Sequence, residues 1–272
     1  MNASQKRGAG GWKQLACKSL TAAYMAACFC FIFAPVAVLV LFSFQDGRLP
    51  VPPFHGPTLH WYAQALANDR LLSAMGHSFL VGAGSAFLSV VLGFLAAYGL
   101  ARYRFRGQTL VRSILVLPMA VSYLIVGMGL LVMASWLNIA PSLWLVCISH
   151  VVINMPLAFA ICSAQFNPAQ VRMEMAAGDL GASLPRVLLQ ITVPMMAPAL
   201  SAAFILCFTL SWDEFLTAFL LSRFDITLPV AIWGLLRGGL NPQTNAIGSM
   251  VFFGAAALAL GAEYLMFRKK SS

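Results

Sequence analysis

The apolar positions of this chain come in long unbroken runs, without the alternation or one-sided striping of a water-soluble domain. Six runs, at roughly 20–44, 75–100, 111–135, 141–164, 194–221 and 244–267, are each long enough to cross about 30 Å of hydrocarbon as a helix. Inside hydrocarbon the backbone N–H and C=O groups must find partners within their own segment. With no barrel-like alternation present, the pattern predicts helices throughout. The expected fold is an all-α membrane protein of six transmembrane helices. The first run follows Lys6, Arg7, Lys13 and Lys18 and ends in PVAVLVLFSF (35–44), about 25 apolar residues in all. That is too long for a cleaved signal peptide and predicts a retained anchor.

Composition agrees with this pattern. Of the 272 residues, 60% are hydrophobic and 9% charged. A globular domain carries about a quarter charged residues, so this chain lacks the charges to dress a soluble surface. The net charge of +9 does not imply a nucleic-acid partner, because the basic residues sit in short clusters between apolar runs. They record orientation instead. One side holds Lys6, Arg7, Lys13, Lys18, Arg102, Arg104, Arg106, Arg112, Arg172, Arg186, Arg268, Lys269 and Lys270, the other Arg48, Arg70, Arg223 and Arg237. Thirteen against four puts both termini in the cytoplasm, and an even number of spans, which leaves both termini on one side, agrees.

The organisation that follows is a cytoplasmic segment (1–19), a first transmembrane helix (20–44), an external loop (45–74), a core of five further helices (75–267) and a cytoplasmic tail (268–272). Within the external loop, TLHWYAQALANDRLL (58–72) reads as an amphipathic surface helix. Trp12, Trp61, Tyr62, Trp136 and Trp144 read as interfacial belt residues. Cys28, Cys30, Cys147, Cys162 and Cys207 lie inside apolar runs and Cys17 just before one, which suits small buried hydrophobes and no metal site.

The segment 165–193 is polar enough to lie outside the bilayer, yet it is punctuated for helices. Asn167 can cap a helix with Pro168 at its first position and Gln170 three residues after the cap. Gly181 stands where a left-handed stop is cheap. Ser183 can cap a second helix beginning Leu184-Pro185 and leading to Pro194. The expectation is two short helices joined at a sharp glycine bend on the inner membrane face.

This stretch resembles the EAA loop of binding-protein-dependent ABC importer permeases, the MetI-like type. The family pattern is Glu-Ala-Ala, three residues, Gly, nine residues, Ile, one residue, Leu, Pro. Here Ala176, Ala177, Gly181, Ile191 and Pro194 match, and Asp179-Leu180-Gly181-Ala182 fits the common DLGA variant. Met175 stands where the glutamate is expected, with Glu174 one residue earlier, about 100° around a helix, and Val193 replaces the leucine. The resemblance runs from about Trp61 to Asn245. LARYRFRG (100–107), SWDEF (211–215), TLPVAIW (227–233) and GLNPQTNA (239–246) look like the spermidine/putrescine branch.

The resemblance implies that residues 165–193 form a coupling helix docking on a separate ATPase, with Glu174, Ala176, Ala177, Asp179, Gly181, Ala182, Ile191 and Pro194 as its coupling residues. It further implies a second homologous permease subunit, an ABC ATPase dimer, an extracytoplasmic solute-binding protein and a bacterial inner membrane. No lysine follows a glycine, so the chain has no GxxxxGK[ST] phosphate loop. ATP and Mg are accordingly expected on the partner ATPase, with no cofactor and no catalytic residue in this chain.

Charges within the expected spans are few and costly. Asp213 and Glu214, beside Trp212, supply what an organic cation needs, Coulomb attraction and a cation–π surface. The alternative is that both sit solvated at the external interface. His77 and His150, near span ends, and Glu263, near the inner basic cluster, read as anchoring or packing residues. The expected cargo is a polyamine or related organic cation. Iron, thiamine, an opine or an aminophosphonate are alternatives within transport, and an intramembrane enzyme is the alternative from another class.

Overall fold

Prolines, glycines and capping side chains set where the apolar runs begin and end as helices. The computed structural model describes residues 6–47, 49–239 and 241–268, and within these it holds twelve α-helices. In order they are α1 (Lys6–Ser43), α2 (His60–Leu66), α3 (Asp69–Arg102), α4 (Gln108–Val116), α5 (Tyr123–Trp136), α6 (Leu143–Gln165), α7 (Pro168–Asp179), α8 (Leu184–Val187), α9 (Val193–Trp212), α10 (Leu216–Leu221), α11 (Leu228–Arg237) and α12 (Pro242–Arg268). A 3₁₀ turn (Leu117–Ala120) follows α4, and a π-helical turn (Leu188–Thr192) joins α8 to α9. Readings placed on the side chains of Lys6, Arg7, Trp12, Lys13, Cys17 and Glu263, and on the stretches 1–5, 48 and 269–272, fall outside the described residues.

Among the described residues four helical stretches are long and apolar enough to cross a membrane: Lys18–Ser43, Asp69–Arg102, Leu143–Gln165 and Leu184–Trp212. Gln108–Ala120 and Tyr123–Trp136 add a fifth if counted together. The run expected at 111–135 is not one straight helix, because these two pieces meet at 105°. Pro118 sits in the 3₁₀ turn, and Val121 and Ser122 are extended at ψ 137° and 138° before α5 starts. The run expected at 194–221 is also displaced. Its helical path starts earlier, at Leu184, and stops at Trp212. Pro194 and Pro198 lack the N–H that an α-helix would use, and the wider π turn lies immediately before them.

The chain divides into two units, 1–67 with 235–272, and 68–234. In the first, α1 and α2 both pack on α12. The helix expected over 58–72 is shorter. It breaks after Leu66, and Asn68 starts α3 by accepting hydrogen bonds from the Arg70 and Leu71 amides. Trp61 and Tyr62 are half-buried and make specific contacts: the Trp61 indole donates to the Gln45 carbonyl at 2.8 Å and the Tyr62 hydroxyl meets Ser43 Oγ at 2.7 Å. They pin α2 to the end of α1. Trp136 and Trp144, by contrast, are largely exposed.

In the second unit α3, α6 and α9 pack together. The buried stripe of α3 recurs every three or four residues: Leu71, Ala74, Ser78, Gly82, Ser85, Ser89, Gly93 and Ala97. Mostly small residues let the helices approach closely, the usual basis of helix association where lipid removes the hydrophobic drive. Among the described residues the apolar core of this bundle includes three patches. One is around Val146 and Leu221, one around Ala86, Ala203 and Cys207, and one around Phe94, Phe159 and Met196.

Candidate coupling and pathway sites

The candidate coupling segment is assembled by local signals. Asn167 Oδ1 accepts from the amides of Ala169 at 3.0 Å and Gln170 at 3.1 Å, and Gln170 Oε1 accepts from the Asn167 amide at 3.1 Å. This reciprocal cap, with Pro168 in the first turn, starts α7. At the other end the Ala182 amide donates to the Ala177 carbonyl at 3.0 Å and the Gly181 amide to Gly178 at 2.9 Å. Those two bonds make a Schellman stop, which needs a left-handed residue at Gly181, and its φ is +83°. Ser183 precedes α8 as expected, but its side chain makes no capping bond.

The candidate coupling residues face different ways. Asp179 and Ala176 are exposed on α7, and Ala177 is half-buried. Gly181 lies exposed in the bend with Ala182 half-buried after it. Ile191 is half-buried in the π turn, and Pro194 is exposed in the first turn of α9. Leu180, at the tip, is 90% exposed and Met175 64%. Glu174 is buried at 8% exposure. The one-residue offset has therefore turned the carboxylate inward and left a methionine outside.

Glu174 meets a partner that the sequence did not single out. Arg102, the last residue of α3, grips it with both ends of the guanidinium: Nε donates to Oε2 at 2.6 Å and Nη2 to Oε1 at 2.9 Å. Thr192 Oγ1 donates to Oε1 at 2.8 Å. The guanidinium also lies 4.9 Å from the Phe166 ring centre and 5.5 Å from that of Tyr98. Burial raises the Glu174 pKa, but the hydrogen bonds from Arg102 and Thr192 and the Arg102 charge outweigh it and hold the carboxyl below its ordinary value. The available signal was an arginine ending a long apolar helix, the first of three in RYRFR (102–106). In sequence it looked like one more member of the inner basic cluster.

The candidate pathway residues sit at the break between α9 and α10. Asp213 is exposed, and its carboxylate makes no hydrogen bond or ion pair among the described residues. Trp212 is half-buried, its ring 5.8 Å from Phe208. Glu214 is 7% exposed and fully engaged. It accepts from the amides of Leu216 at 3.0 Å, Thr217 at 3.0 Å and Ala218 at 3.2 Å, and from the Thr217 hydroxyl at 2.6 Å. Glu214 thus supplies the acceptors that the first amides of α10 lack. The two adjacent carboxylates have different work: one is spent on the fold and the other is free.

His150 lies two turns inside α6, in a packed position. It is 1% exposed inside α6. Its Nδ1 meets Ser211 Oγ at 2.5 Å, Ser211 Oγ meets Ser85 Oγ at 2.9 Å, and Nε2 lies 3.4 Å from Glu214 Oε2. The last contact is within ion-pair range without hydrogen-bond alignment, since Nε2 has no hydrogen-bond partner. One turn on, the Asn154 side chain donates through Nδ2 to the Cys207 carbonyl at 3.3 Å. This polar seam links α3, α6, α9 and the break. His77 joins α3 to the segment before α11, its Nδ1 lying 3.3 Å from the Ile226 carbonyl.

Residues 89–267 match the family described as binding-protein-dependent transport system inner membrane component. The chain is similar to the spermidine/putrescine transport system permease protein PotC of Escherichia coli (strain K12), 30% identical over 90% of this chain and 93% of that one. It is also similar to the putrescine transport system permease protein PotI of the same organism, 32% identical over 88% of each chain. Among solved structures it resembles a chain of a bacterial ABC transporter involved in the import of the acidic polysaccharide alginate. There the TM-score is 0.68 and the identity 16%, with 99% of this chain and 98% of that chain covered. A second, of a bacterial alginate ABC transporter in complex with alginate pentasaccharide-bound periplasmic protein, gives a TM-score of 0.71 at 18% identity over 94% and 97%. At these identities the solved structures speak to the fold.

Proposed function

This chain belongs to the binding-protein-dependent transport system inner membrane components and is an ABC importer permease, and from that premise we propose that it carries a polyamine or closely related organic cation. The proposed assembly has a second permease subunit, two ATPase subunits holding ATP and Mg, and an extracytoplasmic solute-binding protein. Both termini and residues 165–193 lie in the cytoplasm, and residues 45–74 and 222–243 lie outside, following the basic-residue bias. ATP-driven closure of the ATPase pair moves α7 and its bend. Leu180, the most exposed apolar side chain of that segment, supplies a knob for a hydrophobic groove.

The observation that carries the substrate reading is the free, exposed carboxylate of Asp213 beside Trp212, at the point where a long apolar helix stops. Similarity to permeases named for spermidine and putrescine supports the same class. A cation losing water in a low-dielectric passage needs a negative partner that is not already spent. Asp213 meets that requirement and Glu214, folded onto α10, does not. The test is uptake of labelled putrescine by vesicles holding the assembled transporter. Asp213→Asn removes charge and keeps shape, so uptake is expected to fall about 10- to 150-fold, equivalent to about 1.4–3 kcal/mol. Assembly and basal ATP hydrolysis are expected to persist. Uptake at the unaltered rate would overturn the cation path.

A further inference from the structure

We propose that Arg102 is a positioning residue that makes the coupling segment and α3 a single moving body. The inference rests on the reading of residues 165–193 as the segment that receives the ATPase, and it adds the route by which movement reaches the membrane-spanning core.

The geometry has four converging parts. Arg102 ends α3, a 34-residue helix that packs on both α6 and α9. Its guanidinium takes Glu174 of α7 in a two-bond fork. The face of the same group covers Phe166, the extended residue at the elbow between α6 and α7. Thr192, in the π turn ahead of α9, completes the acceptor pattern of Glu174. The Arg102–Glu174 pair therefore joins four places: the guanidinium ties the end of α3 to the α6–α7 elbow and the middle of α7, and the carboxylate ties α7 to the entry of α9 through Thr192. Phe166 is itself held by Phe94 at 6.4 Å and Tyr98 at 6.2 Å, both on α3.

A planar five-donor fork resists rotation in a way that a point charge does not. The pair is buried, with side-chain exposures of 12% and 8%, so water does not readily replace either partner. A push on the exposed tip at Leu180 is thus delivered to α3 without a slack joint. Met175 at the usual glutamate position does not interrupt this, because the carboxylate one residue earlier is the one that faces α3.

The experiment uses the assembled transporter in lipid nanodiscs, with spin labels at Ala169→Cys on α7 and Phe87→Cys on α3, both exposed positions. Cys17, Cys28 and Cys30 are replaced by Ser. In the otherwise unaltered complex the label separation is expected to be narrow, and the same without nucleotide and with ATP trapped. With Arg102→Gln the distribution is expected to broaden and to differ between the two states, and ATP hydrolysed per putrescine imported is expected to rise about 10-fold. Arg102→Lys keeps the charge, loses the fork, and is expected to broaden the distribution partway. It decides the matter by the same separation if Arg102→Gln does not assemble. An unchanged distribution in the variant that assembles, or a separation that already shifts with ATP in the unaltered complex, overturns the proposal. Leu180→Asp separates the two ideas. If the ATPase still co-purifies with that variant and ATP still drives the conformational change, the coupling reading itself has failed. If both are lost while Arg102→Gln behaves normally, only the link through Arg102 has failed.

Discussion

Gly93 of α3 lies so close to Phe159 of α6 that a Cβ built on it would stand 2.7 Å from the Phe159 amide nitrogen and 2.9 Å from the Ala158 Cβ. The obstacle is backbone, which cannot swing aside. Gly93→Ala is expected to destabilise the bundle by about 1–3 kcal/mol, the usual cost of overpacking. Gly76, on the same helix, has nothing within 4 Å of its Cβ position. Gly76→Ala is therefore expected to be neutral or stabilising by up to about 1 kcal/mol, as an exposed helical glycine allows. Thermal denaturation of the two purified variants in detergent checks the pair. Equal midpoints would show that α3 and α6 do not meet at Gly93.

Gly181 makes a different demand. Its Cβ position is open, so the constraint is the φ of +83° required by the α7 stop. Gly181→Val is expected to cost about 1–2 kcal/mol locally and to break the bend. Loss of ATPase co-purification and of uptake, with normal membrane insertion, is the expected outcome. Gly181→Asn, which tolerates the left-handed region, is expected to keep most of both. Normal transport by Gly181→Val would remove the bend from the coupling element.

The buried Glu174 carboxylate titrates below its ordinary value of 4.5. A depressed folded-state pKa means that the folded state binds fewer protons than the unfolded chain near that pH. The stabilisation is therefore complete above 4.5 and drains away as pH falls through the lower folded value. Amide protection in α7, corrected for intrinsic exchange, is expected to stay flat while pH remains above the ordinary carboxylate value and to fall only once pH drops below it. Glu174→Gln is expected to flatten the profile. A profile identical in the two proteins would assign the loss of protection to other groups.

Orientation is tested by labelling. Single cysteines at Ser73 and Ser183, both exposed, lie on opposite sides in the proposed topology. An impermeant thiol reagent is expected to modify the first in cells with a permeable outer envelope and the second only after lysis. The reverse pattern would invert the assignment of inside and outside.

The sequence by itself determined what local chemistry can determine. Long apolar runs demand helices, because hydrocarbon offers the backbone no other partner. Asn167, Pro168, Gln170 and Gly181 announce the two ends of α7, because caps and left-handed stops use residues only a few positions apart. Spacing in the same segment, together with SWDEF, was enough to point to the family. Only the tertiary structure decided the bend of 105° within the third apolar run, and the shift of the fifth to Leu184–Trp212. It alone decided that Glu214 is spent on α10 while Asp213 is free. Periodicity reports which face of a helix is apolar, but not where neighbouring helices make a break affordable. The pairing of Arg102 with Glu174 spans 72 residues, and that of His150 with Ser211 spans 61. Neither residue of such a pair carries a local mark of the other, because a contact made by packing depends on how whole helices meet.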